Sequence, residues 1–250
     1  MIISIIAIAQ VSSTKVKVEF ITPKIVRVQW SAGGSLPGNN TGVCVYERQK
    51  VKSPEIIVKN EGGCISFIDR KTGKTLLRDV ARESEPVVQE RIVYDDATAR
   101  MEETANGKVT VKDIIRLDTI GESTRYISHF SCPDTKALYG LGAHMEDYMN
   151  LVGKTMWLTQ HNLKVMIPVL MSPQGYGLLF DAGCAMKYSS DGKGFTMQME
   201  AAKQIDYYFI KGDRMEDIVE GYRYLTGRVQ LLPLYAFGYI QSKERYVSSD

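Results

Sequence analysis

Along most of the chain, apolar and polar residues alternate with a period of two, the spacing that turns one face of an extended strand inward and the other outward. Lys15-Val-Lys-Val-Glu-Phe20 predicts a strand with Val16, Val18 and Phe20 on one face, and Ile25-Val-Arg-Val-Gln-Trp30 repeats the pattern with Val26, Val28 and Trp30 inward. Pro23 separates the two, so an antiparallel pair turning through residues 22–24 is predicted. The glycine- and asparagine-rich stretch 33–42 reads as loop. Residues 63–77 hold two apolar runs around Asp69-Arg-Lys-Thr-Gly73, where an Asp that bonds its own downstream backbone and a Gly free to turn left-handed predict a hairpin. Residues 108–117, 126–132, 165–172, 177–181, 195–200 and 205–210 extend the strand pattern. Helical spacing emerges once, after Asp213 as N-cap with Glu216 three residues on, and it places Ile218, Val219, Tyr222 and Leu225 on one face up to Thr226-Gly227. After Pro233, the apolar run from Leu234 to Ile240 reads as a fully buried strand, which needs neighbours on both edges and cover on both faces. The fold class is therefore mainly β: a large antiparallel β-sandwich followed by a short helix.

Bulk properties narrow the partners. The 250 residues are 44% hydrophobic and 24% charged, ample for one large or two medium cores. Thirty-one basic and 29 acidic residues leave a formal charge of +2, which gives no electrostatic attraction to nucleic acid or to an anionic membrane. Cys44, Cys64, Cys132 and Cys184 are widely spaced, without a Cys-x-x-Cys pair or His at zinc-ligand spacing, so buried free thiols are expected and no metal. Met1-Ile-Ile-Ser-Ile-Ile-Ala-Ile-Ala-Gln10 has the apolar run and small-x-small ending of a secretory signal but no basic residue before it; a first strand or the remnant of a trimmed signal fits equally, and the compartment stays open. No other segment approaches a membrane span.

Catalytic motifs are absent from the residues themselves. Gly140 and Gly142 lack the later glycine and the following helix of a dinucleotide loop, and no other cofactor signature occurs. Adjacent carboxylates (Asp95 and Asp96, Glu146 and Asp147) would point to opposite faces of an extended chain, and Glu102 and Glu103 read as solvated. No nucleophile elbow is present.

Five ordered motifs carry a resemblance. Leu-Tyr-Gly-Leu-Gly142, Gly-Tyr-Gly-Leu-Leu-Phe-Asp181, Ile-Asp-Tyr-Tyr-Phe-Ile-x-Gly212, Tyr-Arg-x-Leu-Thr-Gly227 and Pro-x-x-Ala-Phe-Gly-Tyr-x-Gln-Ser-Lys-Glu-Arg-Tyr246 together resemble glycoside hydrolase family 31, the family of α-glucosidases, α-xylosidases and related transglucosylases. The resemblance runs from about Val16 to the last residue. It implies a galactose-mutarotase-like β-sandwich over residues 1–231, with a helix at about 214–226, and the first strand of a truncated (β/α)₈ barrel over 232–250. It further implies retaining hydrolysis of α-linked oligosaccharides by two Asp carboxylates on the barrel, beyond residue 250. The chain alone is then expected to lack catalysis and to be a fragment whose parent has an oligosaccharide substrate and a possible homo-oligomeric state.

The same resemblance points to binding residues. A sandwich loop matching about Trp157 to Asn162 would lean over the barrel mouth, with Gln160, His161 and Asn162 offering planar groups to sugar hydroxyls and Trp157 either stacking on the sugar or filling the core. Glu244 and Tyr246, at the end of the first barrel strand, would line the innermost subsite. Two other readings stay open: a stand-alone carbohydrate-binding sandwich, and a mutarotase-like epimerase using His129 or His144 with Glu146.

Overall fold

The structure, a computed structural model, describes residues 16–36, 38, 41–105, 107–132 and 134–240. In chain order the elements are β1 (Lys17–Thr22), β2 (Ile25–Trp30), β3 (Ile56–Glu61), β4 (Cys64–Asp69), β5 (Thr75–Tyr94), β6 (Arg100–Thr104), β7 (Gly107–Val111), β8 (Ile114–Ser131), β9 (Tyr139–Ala143), β10 (Thr155–Leu158), β11 (Val165–Ser172), β12 (Tyr176–Phe180), β13 (Met186–Ser190), β14 (Gly194–Ala202), β15 (Ile205–Lys211) and α1 (Met215–Thr226). One sheet has the order β1-β2-β15-β12-β11-β9, the other β10-β13-β14-β8-β5-β4-β3, and β6 pairs with β7 alone. The pairings are antiparallel.

The two large sheets face each other as a sandwich. Phe67 of β4 stacks on Phe209 of β15 with ring centroids 4.2 Å apart, and Phe130 of β8 meets Tyr207 of β15 edge-on at 5.4 Å. Alternation explains the choice of side: Val26, Val28 and Trp30 point into this core as their spacing predicts. The expected hairpins also form. Asp69 Oδ1 accepts the Lys71 amide at 2.7 Å, and Gly73, at φ +72°, closes the β4–β5 turn on the Asp69 carbonyl.

The six-stranded sheet is covered on its second face too. Ile21, Ile25, Val169, Leu179, Tyr208 and Ile210 pack there with Ile218 and Leu225 of α1, so β2 and β15 are buried on both sides. Polar residues on that second face must be paired. Asp206 accepts from Arg27 Nε at 2.9 Å, from Arg27 Nη2, from Gln29 at 3.2 Å and from Gln204 at 3.0 Å.

A second buried carboxylate, Asp79, lies in the inter-sheet layer, held by Arg82 Nε at 3.0 Å and by the Tyr207 hydroxyl at 2.6 Å. Burial pushes its carboxyl up to about 6, and Arg82 and the Tyr207 hydroxyl pull against that rise. Folded Asp79 thus keeps its proton where an unfolded aspartate, titrating near ~3.9, has lost it. Unfolding then releases a proton, so this group's contribution to stability falls as pH rises from about 4 to about 6 and is constant above that. Urea midpoints of Asp79→Asn against the parent should show the difference changing across that window and nowhere above it.

Four expectations need correction. The helix begins one residue later than predicted, with Arg214 at the cap and Asp217 accepting the Arg214 amide at 2.9 Å. Asp213 is unavailable as a cap because it pairs with the nearly buried Lys211 at 2.9 Å. Val219 faces solvent instead of sharing the face of Ile218 and Leu225. The 108–117 stretch is not one strand, since Lys112 and Asp113 break it, and its second half joins 126–131 in the 18-residue β8. Lastly, Leu234–Phe237 forms a 3₁₀ turn, with Leu234 88% and Tyr239 90% exposed. A strand buried on both faces requires flanking strands, and none among the described residues pairs with this one. No disulfide joins the four cysteines, and Cys44 and Cys132 are buried. No helix among the described residues is long and apolar enough to cross a membrane.

Candidate functional site

The residues singled out for sugar contact lie on the 159–164 loop between β10 and β11, beside the 144–154 loop that follows β9. Two glycines set this corner. Gly140 and Gly142 adopt φ +110° and +103°, and a Cβ at Gly142 would stand 1.9 Å from the Val165 carbonyl oxygen. Only glycine permits that approach, so β9 can bulge against β11, where the register shifts between Met166 and Leu170. Leu141 between them takes φ +62° with its side chain fully buried. The glycine pair is therefore a backbone device of the β9–β11 pairing.

The 144–154 loop is tied down from several sides. Asn150 Oδ1 accepts the Leu138 and Val152 amides at 3.2 and 3.1 Å, and its amide donates to the Lys136 carbonyl at 3.1 Å. The Tyr188 hydroxyl donates to the Leu151 carbonyl at 3.0 Å. Lys164 reaches across to Glu146 at 3.4 Å and joins the two loops.

Gln160, His161 and Asn162 are all exposed at the loop tip, as a contact role requires, but their side chains are not equally available. Gln160 is spent on its own hairpin: Oε1 accepts the Met166 amide at 3.0 Å and Nε2 donates to the Lys164 carbonyl. His161 Nδ1 lies 2.8 Å from the Asn162 carbonyl oxygen, and the turn closes through the Lys164 amide on the His161 carbonyl at 3.1 Å. The outward groups are thus the remaining imidazole nitrogen of His161 and the Asn162 carboxamide. Glu244 and Tyr246 lie outside the described residues. Trp157 is 49% exposed on the outer face of the seven-stranded sheet, not in the core. The ammonium of Lys187, directly opposite it across the β10–β13 pair, sits 5.4 Å from its ring centroid.

Among the described residues no carboxylate pair is arranged for hydrolytic chemistry. Asp206 and Tyr207 are neighbours on β15 and point to opposite faces, so Asp206 and Asp79, which bonds Tyr207, are separated by the sheet. Asp95 caps a short turn and Asp96 pairs with Lys112, while Glu102 pairs with Arg100, all at the surface. The epimerase set is not assembled either. His144 Nε2 is 2.7 Å from the Leu141 carbonyl oxygen, Glu146 goes to Lys164, and His129, on the other sheet, meets Glu83 at 3.1 Å. Among the described residues no group of three or more His, Cys, Asp or Glu side chains has metal-holding geometry.

Two features escaped sequence reasoning. An open cleft of about 360 Å³ on the outer face of the seven-stranded sheet is lined by His129, Ser131, Ser189, Asp191, Lys193 and Thr196. Gly194 floors it, since a Cβ there would meet the Phe130 carbonyl oxygen at 2.2 Å. These residues come from β8, β13, β14 and a turn, and no linear spacing announces them. Asp206 did leave a signal, a lone acid within the otherwise apolar run Ile205–Ile210, which marks a paired group in a two-sided core; Asp79, flanked by Arg78 and Arg82, left none.

No protein-family model matches the chain. An α-xylosidase of Saccharolobus solfataricus is 29% identical over 252 residues, an alignment that takes in 96% of this chain and 32% of that protein. The chain thus spans about a third of the length of this relative. Among solved structures, the GH31 α-xylosidase of Xanthomonas citri superposes with a TM-score of 0.68 at 17% identity, covering 92% of this chain and 40% of that one. A GH31 dextranase of Flavobacterium johnsoniae, complexed with isomaltotriose, gives 0.62 at 18% identity, covering 92% and 28%. The sandwich fold and this likeness along nearly the whole chain make it similar to the amino-terminal region of these glycoside hydrolase family 31 enzymes.

Proposed function

We propose that the chain is the amino-terminal sandwich of a retaining α-glycosidase of the α-xylosidase or α-glucosidase type, acting on α-linked oligosaccharides. It carries a catalytic barrel that starts at about residue 232 and lends the 159–164 loop to that barrel's substrate pocket. The observation that carries this reading is the apolar stretch after α1: Leu231, Leu232, Leu234, Tyr235, Phe237, Tyr239 and Ile240 are all exposed. A contiguous apolar surface of this kind calls for a further layer packed against it. The two nucleophile and acid/base carboxylates belong to that layer, and the sandwich's own work is support and substrate positioning.

The loop assignment is tested with the sandwich joined to a family 31 barrel. Asn162→Ala and His161→Ala should each raise KM for an α-linked oligosaccharide roughly 3- to 30-fold, as expected for loss of one or two hydrogen bonds. Their kcat should hold, because neither residue touches the reacting bond. KM values unchanged in both variants would remove the loop from the pocket. Gln160→Ala should instead lower the thermal midpoint, since its amide closes the hairpin.

The stand-alone carbohydrate-binding reading keeps one supporting feature, the outward Trp157 with Lys187 over its ring. It requires affinity of the chain itself for a xyloglucan or α-glucan oligosaccharide, abolished by Trp157→Ala.

A further inference from the structure

Beyond Arg82, β5 and β8 leave the sandwich as a two-stranded arm. β4 pairs β5 only between Thr75 and Asp79, and β14 pairs β8 only between Thr124 and Ser131, so the remaining rungs, out to Tyr94 opposite Ile114, have no further strand on either side among the described residues. A two-stranded ribbon is marginal in water without cover. Pro86, which has no amide to donate, sits in one of its free edges and disfavours extension of the sheet sideways.

The arm has two unlike faces. Alternation along β5 puts Glu85, Val87, Gln89, Arg91 and Val93 on one side, and the polar side chains there are bonded: Glu85 with Arg125, Gln89 with Ser123 at 2.7 Å, and Arg91 and Arg116 with Asp118 at 3.6 and 2.7 Å. The other side continues the row that turns into the core at Arg82 and Ser84. It carries Val88, Ile92 and Tyr94 from β5 and Leu117 and Ile114 from β8, with Glu90 and Glu122 between them. Val88 is 55% and Leu117 54% exposed.

The chain supplies its own candidate cover at the right place. Trp30 packs edge-on against Tyr126 at the base of the arm, with centroids 5.6 Å apart, while Val28, two residues earlier on β2, pairs with Tyr207, which meets Phe130. Moving from Val28 to Trp30 therefore runs the same way as moving from Phe130 to Tyr126 and out along the arm. β1 lies antiparallel to β2 with Lys17 opposite Gln29, so followed backward from Thr22 to Lys17 it heads in that direction too, on the side of the arm's apolar face. The residues before Val16 include Met1-Ile-Ile-Ser-Ile-Ile-Ala-Ile-Ala-Gln-Val11, which has no charged side chain. Fifteen residues of extended chain reach roughly 50 Å, and β8 from Tyr126 to Ile114 runs roughly 40 Å.

We propose that the apolar face of the β5–β8 arm is the docking surface for the amino-terminal stretch Met1–Val11 of the same chain. This gives the isoleucine-rich start a role in the folded protein and accounts for an arm whose ion pairs Glu85–Arg125, Arg91–Asp118 and Arg116–Asp118 lie on one face while Val88, Ile92, Tyr94, Ile114 and Leu117 lie on the other. The test places a photoreactive benzophenone side chain at position 92 of the full 250-residue chain. Irradiation should link it, within one molecule, to a peptide from residues 1–11. A link to a second copy of the chain, a link elsewhere, or no link overturns the proposal. In parallel, hydrogen exchange of residues 86–94 and 114–122 should accelerate roughly tenfold when residues 1–11 are removed, with 205–210 unchanged. Equal exchange with and without the stretch would contradict the assignment even where the cross-link is inefficient.

Discussion

Arg27→Met is expected to lower the unfolding free energy by about 3–5 kcal/mol, the range for removing one partner of a buried ion pair. The Arg27 and Asp206 side chains are 9% and 0% exposed, and the carboxylate takes two of its four donors from the guanidinium. Without Arg27, only the neutral amides of Gln29 and Gln204 remain to hold a charge away from water. Burial already pushes the Asp206 carboxyl up from its usual range, and the arginine restrains that rise. In the variant the rise should be larger. The folded state then binds a proton that the unfolded state has released, so the loss of stability should grow as pH rises from about 4 upward. Urea denaturation at a series of pH values reads both effects. Arg48→Ala, which breaks the exposed pair with Glu19, should cost at most about 1 kcal/mol under the same conditions. Similar losses for the two variants would mean that the Arg27–Asp206 pair does not organise the sheet's second face.

Gly142→Ala should destabilise by about 3 kcal/mol or more, because the added Cβ meets backbone rather than a yielding side chain. The 1.9 Å approach to the Val165 carbonyl oxygen can be relieved only by opening the β9–β11 pairing. That pairing holds the start of the 144–154 loop and the end of the 159–164 loop. Gly153→Ala provides the contrast, since φ is +72° there but nothing lies within 4 Å of the added atom. Its cost should be confined to the left-handed backbone, about 1 kcal/mol. A melting experiment in which both alanines cost the same would show that the close approach is not what fixes the bulge.

These two sites mark how far the sequence could be read. Period-two alternation located β1, β2 and β14, each with one face turned to a dry core, and short apolar runs located β11, β12 and β15. It missed the outer parts of β5, where Arg-Glu-Ser-Glu-Pro lacks an apolar face next to the sandwich and strand pairing alone holds the backbone extended. The arm's apolar positions at 88, 92 and 94 do alternate, but Glu90 falls among them and hides the period. Asp213 was a sound N-cap on local grounds and lost to a tertiary partner, Lys211. The run 234–240 read as a buried strand because it is almost wholly apolar, whereas among the described residues it forms a turn with no strand beside it. For the loop, composition suggested three polar contacts, whereas the fold shows that Gln160 is consumed internally. Only coordinates separate a side chain that closes its own turn from one that faces outward.

The central claim is that these residues support a catalytic barrel and supply no catalytic carboxylates. The most direct measurement compares hydrolysis of 4-nitrophenyl α-xyloside and α-glucoside by the purified 250-residue chain and by the same chain joined to a family 31 barrel. The account predicts no turnover above buffer for the chain alone and turnover for the joined protein. Turnover by the chain alone, proportional to its concentration and persisting through repurification, would contradict it.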